Sequence, residues 1–257
     1  MTFSTFSNIS IAAMMMIASA SPSATIVEFT TSQGNFKVNL HDETTPVTVA
    51  NFLKYINDGD YNNTVVHRVE PEFVMQAGGF EFSGDFPLSP ITTDSAIKNE
   101  PVYSNVRGTI AMAKVPNNEN SATSQWFVNL SDNSAGSASL DTQNGGFAVF
   151  GEIIEGIESI DTIAAIPRCN TIPMPDYTAT QCSDANLVPG TENFVTIETV
   201  IIFDATVNTA GNLAAIKNTS QTAAPEPTPT NSSSGGGSIA WLSLLFTGLI
   251  ALRKRFK

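Results

Sequence analysis

The sequence predicts a mainly β chain that closes into an antiparallel barrel and carries two helices. Three observations lead there. Short β-prone runs recur between Gly- and Asn-rich turns from residue 24 to residue 203. Two stretches place apolar residues at helical spacing. Apolar residues make up 42% of the 257-residue chain, enough for one packed core plus appendages. A set of many short strands is well accommodated by a sheet rolled onto itself, because closure removes unpaired edges.

The elements follow in order. Residues 24–30 are β-rich, and 35–40 alternate around Phe36, Val38 and Leu40, with the turn signal Ser32-Gln33-Gly34 between them. A helix is expected next, capped by Thr45 and opened by Pro46. Its apolar face would be Val49, Phe52, Leu53 and Ile56, and Gly59 would end it. Short strands then lead to residues 147–153. Gly156 opens a second helix, with Ile157, Ile160, Ile163 and Ala164 on one face, and 194–203 reads as a closing strand. Residues 168–192 interrupt this plan. They are polar and Pro-containing, and an irregular insertion of that length is usually functional or tied down.

Charge excludes one class of function. Lys and Arg number 12 against 24 Asp and Glu, a net charge of −12. Four of the twelve cations crowd the last five positions, so the body is more acidic still. Such a field disfavours nucleic-acid binding, which needs cations to neutralise phosphates. Residues 1–20 read as a secretory signal: a short apolar run and a small-x-small site at Ala18-Ser19-Ala20. That n-region lacks Lys and Arg, and the alternative is a buried N-terminal helix. The two cysteines, Cys169 and Cys182, pair as a disulfide if the chain folds in an oxidising compartment. Two free thiols are the alternative. His41 and His67 match no metal-ligand spacing with them, so no metal and no cofactor is expected.

Two motifs carry the chemistry. The first is Val65-Val66-His67-Arg68-Val69-Glu70-Pro71-Glu72-Phe73-Val74-Met75-Gln76-Ala77-Gly78-Gly79-Phe80. The second is Arg107-Gly108-Thr109-Ile110-Ala111-Met112-Ala113, followed by Asn120-Ser121-Ala122-Thr123-Ser124-Gln125-Trp126-Phe127-Val128-Asn129. Both set a few polar side chains among aromatic and aliphatic ones on β-prone runs, as a shallow apolar pocket with aimed donors requires. The pattern closely resembles the cyclophilin-type peptidyl-prolyl cis-trans isomerases, over about residues 25–203 with one insertion.

The resemblance implies a closed eight-stranded antiparallel barrel with a helix over each end, spanning residues 24–206 with the insertion 168–192. It implies an enzyme that rotates X–Pro bonds without nucleophile, metal or cofactor, acting on proline-containing polypeptides. Arg68 matches the family's donor to the prolyl nitrogen, Gln76 the glutamine that orients it, and Phe73 a pocket residue grouped with them. Val74, Met112, Phe127 and Leu140 would complete the proline pocket. Ala113 and Lys114 match the segment that holds substrate backbone, Gln125 a second glutamine, and Phe147 the rim. Three positions depart from the family: Val74 replaces a frequent methionine, Ser139 a tryptophan and Phe147 a histidine. Ser139 implies weak binding of cyclosporin-type inhibitors. His67 precedes Arg68 on a strand, points to the opposite face, and is expected to be structural.

The same pocket could instead serve a proline-peptide chaperone with little turnover. The intact donor and pocket favour the enzyme. A serine hydrolase lacks its Gly-x-Ser-x-Gly elbow here. At the C-terminus, a Pro/Ser/Gly-rich linker (207–238) precedes an apolar helix with a basic end (239–257). This order resembles bacterial Gly-Gly sorting tails. It implies transient inner-membrane anchoring before tail cleavage and a monomer in the periplasm or at the cell surface. A permanent membrane anchor is the alternative.

Overall fold

The computed structural model describes residues 25–184, 186–206 and 209–221. The expected signal peptide, the apolar C-terminal helix and most of the linker lie outside these residues. Within them, no helix is long and apolar enough to cross a membrane.

The chain begins with a hairpin of β1 (Ile26–Thr31) and β2 (Phe36–Leu40). Helix α1 (Pro46–Asp58) follows, burying Val49, Phe52, Tyr55 and Ile56. Thr45 does not cap it; the Thr45 hydroxyl donates to the His41 carbonyl instead (3.1 Å). The free N–H groups of Val47 and Thr48 donate to the Glu100 carboxylate, at 3.3 and 2.8 Å. A carboxylate there also meets the positive end of the helix dipole. Gly59, at φ 78°, closes the helix in the left-handed conformation, as expected.

Six short strands come next: β3 (Thr64–Val65), β4 (Arg68–Glu70), β5 (Val74–Ala77), β6 (Phe80–Glu81), β7 (Ser89–Pro90) and β8 (Thr109–Met112). Then come β9 (Trp126–Asn129), β10 (Val149–Glu155) and helix α2 (Ile157–Ala165), whose Ile160 and Ile163 are buried. The insertion holds β11 (Arg168–Cys169), β12 (Ile172–Pro173) and α3 (Ala179–Ser183), and β13 (Thr196–Asp204) closes the series.

Eleven strands form one antiparallel sheet in the order β4-β5-β9-β8-β10-β2-β1-β13-β3-β6-β7. The expected eight-stranded closed barrel with two helices is thus replaced by an open, curled eleven-stranded order with three α-helices. The cause is local. Residues 64–70 are one extended run that changes partners midway: Val66 N–H donates to Val195 O and His67 N–H to Gln76 O. The run divides into β3, on β13, and β4, on β5. Strands β6 and β7 extend the sheet beyond β3. Inside the curl lies an aromatic core. Phe29 stacks on Phe36 with ring centroids 4.4 Å apart and meets Trp126 edge-on at 5.1 Å. Phe52 of α1 reaches Phe150 at 4.9 Å.

Two further segments differ from the sequence reading. The insertion is built, not irregular. Its β11–β12 hairpin and α3 are joined by the Cys169–Cys182 disulfide, and α3 starts with a Thr178/Gln181 capping box. Met174, only 3% exposed, packs against Val65 and Phe194, so the insertion shares a core with the sheet. Residues 209–221, assigned above to the linker, lie against the domain. Ser104 N–H donates to Ile216 O and Asn218 N–H to Val102 O.

Candidate active site

Strand register assembles the site. Arg68 pairs with Gln76, Gln76 with Phe127, Phe127 with Ala111, and Ala111 with Val149. Side chains alternate along a strand, so this row shares one face of β4, β5, β9, β8 and β10. The neighbouring residues Val69, Met75, Trp126, Ile110 and Met112 point the other way, into the main core. That alternation corrects one expectation. Met112 is fully buried in the core and does not reach the proline pocket. Ala111, which the sequence reading passed over, is the residue of β8 beneath the pocket. It packs with Val74, Phe127, Leu140 and Val149.

Over this floor opens a cleft of about 440 Å³. Arg68, Phe73, Val74, Gln76, Ala113, Lys114, Phe127, Leu140 and Phe147 line it, all expected from the sequence. Pro116, Asn117, Gln143 and Asn144 line it too and were not anticipated. Pro116 and Asn117 sit on a turn and Gln143 and Asn144 in a single 3-10 turn of helix, where no periodicity marks them. Gln125 is not a wall. It stands behind Gln76, accepting from Gln76 Nε2 at 2.8 Å, while Gln76 Oε1 accepts from Arg68 Nη1 at 3.3 Å. Gly79 makes room for this relay, since a Cβ there would meet the Gln125 side chain at 2.6 Å. Glu70, two residues from Arg68 on the same face, places Oε1 3.6 Å from Arg68 Nε. Arg68 Cζ lies 5.8 Å from the Phe73 ring.

The opposite rim is held by Lys114. Its Nζ donates to Asn144 O and Gly146 O, both at 2.7 Å, and sits 4.8 Å from the Phe147 ring. Burial pulls this amine down to about 8, with Glu119 opposing the shift. Phe147 meets Phe127 edge-on at 5.7 Å. A buried polar network braces the floor from behind. Asn133 Nδ2 donates to Phe73 O and to Asn129 Oδ1, and Asn129 Nδ2 donates to Thr109 Oγ1. Asp141 Oδ1 accepts from Asn105 N and Nδ2. Being satisfied, these groups fix the wall positions instead of weakening the interior.

His67 lies on the other side of β4, as expected. It lines a separate cavity of about 330 Å³ with Phe80, Phe86, Pro87, Leu88 and Ile172. Burial holds its imidazole down to about 4; the Val65 backbone and the Gln125 side chain pull weakly the other way, and Arg68 adds to the depression. Neither histidine lines the cleft. Ser124 is fully buried and Ser121 is bonded to Asn118 O, so no serine–histidine pair faces it. Among the described residues, no three of His, Cys, Asp and Glu form a group that could hold a metal ion. What the arrangement offers is an apolar floor with a fixed guanidinium over one end. It can seat a proline ring and donate a hydrogen bond to the adjoining amide.

The family model for the cyclophilin type peptidyl-prolyl cis-trans isomerase matches residues 26–183. A peptidyl-prolyl cis-trans isomerase of Acinetobacter baylyi is 39% identical over 155 residues, covering 60% of this chain and 79% of that protein. Peptidyl-prolyl cis-trans isomerase A of Dickeya dadantii is 42% identical over 160 residues, covering 61% and 80%. The crystal structure of a Cryptosporidium parvum cyclophilin type isomerase in the presence of the dipeptide Ala-Pro is 23% identical. It covers 70% of this chain and 99% of that one, with a TM-score of 0.48. The chain belongs to the cyclophilin-type peptidyl-prolyl cis-trans isomerases. It is an enzyme of EC 5.2.1.8, which turns the peptide bond before proline.

Proposed function

We propose that the chain isomerises X–Pro bonds in exported polypeptides, with Arg68 as the donor to the prolyl nitrogen. Resonance holds the amide planar, and the barrier to rotation is about 18–20 kcal/mol. In the twisted state the nitrogen becomes pyramidal and gains a lone pair. A donor fixed over that position binds the twisted state better than the planar one, which is what raises the rate. The observation that carries this reading is the relay Arg68–Gln76–Gln125 standing over Phe73, Val74, Phe127 and Leu140. The relay fixes the guanidinium fork, and the apolar side chains hold the ring.

The export reading rests on the sequence of residues 1–20 and on the paired cysteines. It places the enzyme in the periplasm or at the cell surface as a monomer, with residues 239–257 as a temporary inner-membrane anchor. We also read β3 and β4 as one bent strand. With β1, β2, β5, β8, β9, β10 and β13 it then makes eight, and the order returns on itself. The hydrogen bonds of Val66 and His67 across the break support this count.

Arg68→Ala tests the function. The variant should fold and lose ~10²-fold or more of kcat/KM on a proline tetrapeptide, the usual cost of deleting one aimed donor. A folded variant that turns the peptide over at the parent rate would end the assignment of Arg68. Intact mass of the purified mature protein tests export: loss of residues 1–20 and of the tail is expected, together with no free thiol.

A further inference from the structure

We infer that the cleft prefers proline peptides with an acidic residue beside the proline, and that the Lys114 ammonium is the group that recognises it. This rests on the isomerase reading above and narrows its substrate class. The whole chain carries two acidic residues for every basic one. The cleft reverses that balance. Arg68 and Lys114 both line it, and no Asp or Glu does.

The two cations are not equivalent. Arg68 already has Glu70 at 3.6 Å and Gln76 at 3.3 Å. Lys114 forms no ion pair among the described residues. Glu119 acts on it only from farther away, along its own loop. The packed segment 143–147 offers carbonyls and no charge. Two of the three N–H groups of an ammonium are taken by Asn144 O and Gly146 O, and the third is left for a ligand. Those two bonds also fix the position of Nζ, so little side-chain freedom remains to be lost on binding.

Position matches the task. Nζ lies 4.8 Å from the Phe147 ring, and that ring lies 5.7 Å from Phe127 on the floor. One residue along a peptide advances about 3.8 Å, and a Glu or Asp side chain adds a similar reach. A carboxylate next to a seated proline therefore arrives at Lys114. The site is half-buried, and screening leaves short contacts in place while removing the repulsion of distant acidic residues beyond about 8 Å at physiological salt.

The test uses the full chain and tetrapeptides that differ only as Glu against Gln, placed before or after the proline. Both kcat/KM and Kd are measured, the latter by NMR titration. At pH 7 the Glu peptide should be favoured about 3- to 5-fold at one of the two positions, the scale of a partly exposed ion pair. Lys114→Arg should keep the preference and Lys114→Gln should abolish it. Between pH 7 and pH 9.5 the preference should fade as the amine, held near 8, loses its proton. Equal or better handling of the Gln peptides at both positions overturns the inference, as does a preference that survives in Lys114→Gln. Binding that favours Glu without any turnover would sustain it and defeat the isomerase reading instead.

Discussion

Strand β4 separates two cavities that differ in what their polar groups are permitted to keep. On the Arg68 side, the two cations and the relay amides have assigned partners: Gln76 for Arg68, Gln125 for Gln76, two carbonyls for Lys114. On the His67 side, a mainly apolar wall with Asn170 and Thr171 at its edge surrounds an imidazole that burial keeps uncharged near neutral pH. Adjacent residues on one strand thus have opposite fates, because alternation sends one to a braced cleft and the next to an apolar one. The lesson is that chemistry goes where polar groups are partnered yet still open to a ligand. Burial away from a ligand yields only packing.

The sharpest test of this contrast is acid. Folded His67 takes a proton only near 4, whereas an unfolded histidine takes it near 6.5. Between those values the unfolded chain binds more protons, so stability present at pH 7 is lost as the pH falls. The loss is roughly 3 kcal/mol by pH 4. His41, also held down to about 4 by burial, behaves in the same direction. Urea unfolding of the parent and of His67→Gln at pH 7 and 4.5 isolates the first contribution. Identical acid sensitivity in both proteins would show that His67 is not the neutral group described.

A smaller effect belongs to the insertion that walls the His67 side. The disulfide closes 13 positions of sequence, and opening it should cost about 2–3 kcal/mol in the chain-entropy model. A Cys169→Ser, Cys182→Ser double variant should therefore unfold earlier in urea while its kcat/KM stays within about twofold, because neither cysteine lines the catalytic cleft. A tenfold fall in rate would merge the two sides that β4 is said to separate.

On the Arg68 side, Arg68→Lys keeps the charge and removes the planar fork. On the order of a tenfold loss in kcat is expected, with KM little changed, since an ammonium lacks the planar fork whose fixed directions let the guanidinium hold Gln76 and aim a second N–H at the prolyl nitrogen. Gln125→Leu should have the smallest effect, about threefold in kcat, because Gln125 acts on Arg68 only through Gln76. A larger loss from Gln125 than from Arg68→Lys would reverse the order of the relay.

Much of the cleft was legible because its residues sit on short strands whose register is fixed by alternation: Arg68, Gln76 and Phe127 are cross-strand neighbours. The same alternation takes Met112 out of the cleft and into the core. It lies one residue from Ala113, which lines the cleft, so the two must face opposite ways. Asn117, on a turn, and Gln143, in a short 3-10 helix, could not be read, since tertiary contacts alone bring them to the rim. Helix α1 shows the limit from another direction. Thr45 has the right chemistry for a cap, but the acceptor that serves the helix is Glu100, more than fifty residues away, and no local pattern announces it. In the insertion the cysteine pair was legible and the hairpin was not, as two-residue strands leave no period to detect.

The pairing of β1 with β13 sets a schedule for the chain's birth. Ile26 lies opposite Asp204, so among the described residues the first strand synthesised is completed by the last. At about 5–20 residues per second, a ribosome needs on the order of ten seconds or more to deliver that partner. Until then β1 has only β2 beside it, and a two-stranded hairpin is marginal alone. A nascent chain stalled before Thr196 would keep an unpaired edge along β1 and another along β3. Completion of the sheet therefore waits for β13, and chains arrested or truncated before it become candidates for sheet-edge aggregation and proteolysis.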